Sequence, residues 1–96
     1  MTEQDIADLA TAELGESAEK FLDTDVGRYM LQIAQQDRLL AMEALEMVDP
    51  ADTKKIMELQ MVARFGRMFE ENLQKLMDAG KAAVANWEQR QRQSKE

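Results

Sequence analysis

Apolar residues recur along most of this chain every three or four positions, the period of an α-helix buried on one side. Between residues 3 and 14, Ile6, Leu9, Ala10 and Leu14 share one face, and Thr2 with Asp5 three residues later forms a capping pair at the start. Gly15 is expected to end or kink this short helix, after which Glu16 to Leu22 adds a turn or two with Ala18, Phe21 and Leu22 facing inward. Thr24 then reads as the N-cap of a helix over 24–48, with Gly27 in its first turn. Val26, Tyr29, Met30, Ile33, Leu40, Ala44, Leu45 and Val48 lie on one broad face of it. Asp37 falls where that stripe should continue, which places it either at the stripe's edge or against a base across the molecule.

Asp49-Pro50-Ala51-Asp52 is the strong break in the pattern. Pro50, the single proline, is expected at the first position of the next helix, where its missing N–H costs nothing, with Asp49 accepting from the first-turn amides. The helix is expected over 50–91, followed by a frayed, glutamine-rich tail at 92–96. Ile56, Leu59, Ala63, Gly66, Glu70, Leu73, Met77, Gly80, Val84 and Trp87 stand at heptad spacing along it. Two glycines and an alanine in that seam would let another helix approach closely. Val62, Phe65, Phe69 and Leu76 widen the apolar arc to one side and Met57, Met61 and Met68 to the other, so this helix should touch more than one neighbour. At 1.5 Å per residue it would run ~60 Å against ~35 Å for the helix before it, leaving Gly80, Val84 and Trp87 on an overhang.

These elements predict a single all-α domain: a long antiparallel helical hairpin with a short N-terminal helix. A domain of 96 residues buries only ~60–65% of its unfolded-chain surface, and a lone hairpin buries less, so the fold is expected to be completed by oligomerisation. The candidate interface is Leu59, Ala63, Gly66, Leu73, Met77, Gly80, Val84 and Trp87, with the lone tryptophan serving as a core plug or an interface anchor. Most of the eight methionines fall inside the two long helices and read as ordinary helical core, with an adaptable surface for a partner helix at Met57, Met61 and Met68 as the alternative.

Candidate chemistry changes little. The chain contains neither cysteine nor histidine, which excludes thiolate nucleophiles, Cys-type metal sites, histidine general bases and His-based metal sites. Glu43/Glu46 and Glu70/Glu71 lack the Glu-x-x-His pattern of carboxylate-bridged metal sites in helical bundles, so no metal, cofactor or enzymatic activity is expected. The net charge of −7 is unevenly spread. Residues 1–25 hold eight acids against Lys20, whereas residues 81–96 hold Lys81, Arg90, Arg92 and Lys95 against Glu88 and Glu96. A pI near 4.6 argues against a dedicated nucleic-acid binder. The acidic head instead suggests an alternative function: a small regulatory protein that binds a basic partner or mimics nucleic acid. The start of the chain is acidic where a secretory signal is basic, and no apolar run reaches the ~18 residues of a membrane span, so a cytoplasmic location is expected.

The stretch from Phe21 to Leu31 (Phe-Leu-Asp-Thr-Asp-Val-Gly-Arg-Tyr-Met-Leu), with Val48-Asp49-Pro50 and Ile56-Met57-Glu58-Leu59-Gln60 downstream, resembles small helical proteins encoded in phage and prophage virion gene clusters. The resemblance covers about half the chain and contains no chemical motif. It implies a virion-assembly or virion-associated role, and it assigns no residue a function.

Overall fold

The computed structural model describes residues 1–95 as three helices: α1 (Glu3–Asp23), α2 (Asp25–Met47) and α3 (Thr53–Lys95). Each begins at a side chain that captures free amides. At α1 the pair expected from sequence is in place, with Asp5 N–H donating to Thr2 Oγ1 (3.1 Å) and Thr2 N–H to Asp5 Oδ2 (3.2 Å). The helix does not end or kink at Gly15 but runs on to Asp23, so α1 is as much a structural element as α2. Gly15 keeps helical geometry because what it supplies is a missing side chain at a contact described below.

Thr24 alone separates α1 from α2, in extended backbone (φ −82°, ψ 155°). Its hydroxyl donates to Phe21 O (2.6 Å), closing α1, and accepts from Gly27 N–H (2.9 Å), opening α2. Arg28 fastens the same joint through Asp23 O (3.0 Å) and Asp25 Oδ1 (2.8 Å). Gly27 is compelled by the joint: a Cβ there would overlap Phe21 O.

The second break differs from its sequence reading. Pro50 sits inside the turn and not at the head of the helix, because Asp49 spends its carboxylate on Ala51 N–H (2.9 Å) and its carbonyl on Asp52 N–H (2.9 Å). Asp52 then caps α3, accepting from Lys55 N–H at its side chain (3.1 Å) and from Ile56 N–H at its carbonyl (3.1 Å). At the other end α3 continues through Gln91 to Lys95, where a frayed tail was expected; Glu96 lies outside the described residues.

The three helices form one elongated layer, 66 Å in its longest dimension, which is about the length of 43 helical residues at 1.5 Å each. Both α1 and α2 pack against α3, one after the other. Asp5 and Asp8 meet Arg90, Gly15 meets Gly80, Ala34 meets Gly66 and Gln35 meets Glu70. Residue numbers therefore fall along α3 as they rise through α1 and α2. The overhang expected for the C-terminal half of α3 is covered by α1.

Close approach of backbones defines the contact. The buried hydrophobic side chains among the described residues are the alanines Ala18, Ala41 and Ala83, and none of the large side chains is fully buried. All four glycines are buried. A Cβ on Gly66 would collide with Ala34 O and stand 2.9 Å from Arg38 Cβ. Beyond Gly27, which is buried at the joint, the less exposed positions of α2 include Leu31, Ala34, Arg38, Ala41 and Leu45, a heptad-spaced series in which Ala34 and Arg38 lie against Gly66. The broad stripe read from sequence is mostly turned outward: Val26, Tyr29, Met30, Ile33 and Leu40 are exposed, while Ala44, Leu45 and Val48 are half-buried.

Candidate functional site

The heptad seam of α3 is largely occupied from within the chain. Gly66 is buried against α2 and Gly80 against α1, and Leu59, Ala63, Leu73 and Met77 are partly buried along the same line. Towards the C-terminus the buried position shifts to Ala83, leaving Val84 44% and Trp87 42% exposed. The shift comes where α3 runs beside α1, on which Asp8, Gly15 and Ala18 are the buried residues.

Large apolar side chains excluded from that narrow seam collect on one edge of the α2–α3 pair. Met30 and Ile33 of α2 with Val62, Phe65, Met68 and Phe69 of α3 line an open cleft of about 780 Å³, floored by Ala34 and Gly66. Phe65 is 65% exposed, Met30 44% and Val62 43%. Asp37 and Asn72 are the polar members of the lining. Asp37 is exposed and has no ion-pair partner among the described residues, so the structure puts it at the edge of the apolar stripe. Val26, Tyr29 and Leu40 extend the exposed stripe along α2. The opposite edge of the same helix pair is different in character, with Arg38, Arg64 and Arg67 around Met42, Leu45 and Ala63. Helical spacing puts the two sets on opposite flanks of each helix.

At the far end, α1 and α3 enclose a smaller groove of about 300 Å³ between Leu9, Ala12, Ala83, Val84 and Trp87. Beside it Arg90 donates to Asp5 Oδ1 (2.9 Å) and Asp8 Oδ2, and Gln4 Nε2 donates to Asp8 Oδ1 (3.1 Å). Asp8 is only 7% exposed and so needs these partners. Hydrogen bonding to Arg90 holds the Asp5 carboxyl below its ordinary value, and the two carboxylates hold Arg90 above its own. Arg90 Nε is buried without a partner. The basic tail and the acidic head read from sequence thus meet inside one chain. Their pairing spans more than eighty residues, and local pattern carries no sign of it beyond Asp5 and Asp8 lying on one face of α1.

Among the described residues no group of His, Cys, Asp or Glu side chains converges as a metal site would require, and no helix is long and apolar enough to cross a membrane. The arrangement offers surfaces for contact: an apolar cleft, an arginine-lined edge and a groove beside Trp87. No protein-family model, curated protein or solved structure matches the chain.

Proposed function

We propose that this chain is a non-enzymatic helical assembly or binding protein, built as a long antiparallel helical hairpin that self-associates. The observation that carries the reading is surface left uncovered. A folded monomer of 11.0 kDa is expected to expose about 5,600 Å², whereas this chain exposes 7501 Å². Much of what it exposes is large and apolar, from Val26 and Tyr29 on α2 to Phe65 and Trp87 on α3. Such surface in water is unfavourable by about 25 cal/mol per Å², and contact with protein removes that penalty.

The setting that fits is the particle or assembly pathway of a phage, in the cytoplasm of a bacterial host, as the likeness of residues 21–31 to virion-cluster proteins suggests. Capture of a basic partner by the acidic N-terminal segment is less well supported, because Asp5 and Asp8 are already engaged by Arg90. Light scattering after size exclusion, at low and high salt, tests the proposal. A dimer or larger species that persists in high salt is expected; a monomer at every concentration would remove its basis.

A further inference from the structure

We infer that the cleft between α2 and α3, centred on Met30, Ile33, Val62, Phe65 and Phe69, is the self-association surface, and that it is covered by a second copy of this chain. The inference rests on the self-association proposed above and adds where it occurs. It also moves the contact away from the α3 seam, since Gly66 and Gly80 already touch Ala34 and Gly15 of their own chain and have no face left to offer.

Area identifies the occupant. The chain exposes roughly 1,900 Å² more than a monomer of its mass should, and each subunit of an obligate dimer buries roughly 1,000–2,500 Å². A second chain bringing the same face would remove the excess from both at once. A stable domain packs two layers of secondary structure around a core, and this chain is one layer whose buried hydrophobic side chains, among the described residues, are alanines. Two copies stacked through this face would place Phe65, Phe69, Val62 and Ile33 between four helices, giving the large-residue core that one copy lacks. A two-fold arrangement needs a self-complementary patch, and an almost wholly apolar one meets that condition most simply.

Asp37 limits the geometry. It is the one charged residue lining the cleft, and the same face of a second copy contributes another carboxylate and no cation. Its place in the dimer is therefore the wet rim, where it opposes association slightly. The opposite edge, with Arg38, Arg64 and Arg67, stays in water.

The test uses the full chain and three substitutions. Sedimentation velocity over a wide concentration range should show a wild-type dimer. Phe65→Asp should raise the dissociation constant about a hundredfold or more, the scale of losing a central interface residue. Asp37→Asn should tighten association a few-fold. Because the chain has no cysteine, Phe65→Cys and Met42→Cys also report burial directly. Thiol labelling at 65 should slow at least tenfold as protein concentration rises through the dissociation constant, while labelling at 42, on the arginine edge, should not change. A wild type that stays monomeric overturns both this inference and the self-association reading. A dimer that survives Phe65→Asp with position 65 fully reactive overturns only the surface assigned here, as does weaker association in Asp37→Asn, which would show that Asp37 meets a cation.

Discussion

Gly15 of α1 and Gly80 of α3 face each other so closely that a Cβ on Gly15 would stand 2.9 Å from the Gly80 Cα and 2.8 Å from Leu76 O. Both obstacles are backbone atoms, so neither can rotate away, and the helices would have to part. In Gly15→Ala the overpacking cost of about 1–3 kcal/mol opposes a gain of about 1 kcal/mol in helix propensity. A net loss is expected, read as a fall of about 4–8 °C in Tm per kcal/mol. Gly80→Ala should be milder, because its new Cβ would stand 3.0 Å from Gly15 Cα and 3.4 Å from Thr11 O. Thermal melts followed by circular dichroism check the order; a Gly80 variant less stable than the Gly15 variant would contradict this contact.

Thr24 closes one helix and opens the next with a single hydroxyl. Thr24→Ala should cost about 1–2 kcal/mol, towards the upper end for a lost cap because both helix ends depend on it. Chemical denaturation measures this directly. Thr24→Ser keeps the hydroxyl and should retain most of the stability; equal losses in the two variants would mean that packing of the methyl group dominates.

The Arg90 clamp makes the N-terminal end of α1 sensitive to acid. Asp5 titrates below its usual 3.8 in the folded protein, so its contribution is fully present above that value and is lost as the pH falls through the lower, folded one. Fluorescence of Trp87, the single tryptophan, should change on acidification below about pH 4, since it lines the groove beside Asp5 and Asp8. Arg90→Gln should be less stable at neutral pH, with Asp8 left short of a partner, and should lose less on acidification. Parallel pH profiles for the two proteins would show that the clamp does not set the response.

Association through the apolar cleft couples folding to protein concentration. Tm should rise by several degrees as the chain is concentrated, because binding that requires the folded state stabilises it by mass action. High salt should preserve the effect, in contrast to exposed ion pairs, which it screens. A Tm independent of concentration would indicate that each chain folds and melts alone.

The candidate surface was only half visible in advance. Val62, Phe65, Phe69 and Leu76 stood out as apolar excess beside the α3 seam, and Met30 and Ile33 as part of a stripe on α2. That stripe was read as one broad apolar face of the helix, and the structure turns most of it away from α3. Its displacement outward followed from Gly66, which admits Ala34 and the α2 backbone more closely than a row of Met, Ile and Tyr side chains could approach.

Helical periodicity and capping chemistry are local, and they by themselves determined that this chain is helical, that it breaks at Thr24 and between Asp49 and Asp52, and that small residues recur along the last helix, but they also set a break at Gly15 where α1 runs on unbroken. Which faces meet is a non-local matter. Only tertiary packing decided that α1 lies along the C-terminal half of α3, that Gly15 selects Gly80, and that Arg90 reaches back more than eighty residues to Asp5 and Asp8. An amphipathic pattern states that a face must be buried, but the partner is chosen where two backbones can come closest with their polar groups satisfied, and that depends on side chains absent at glycine as much as on those present.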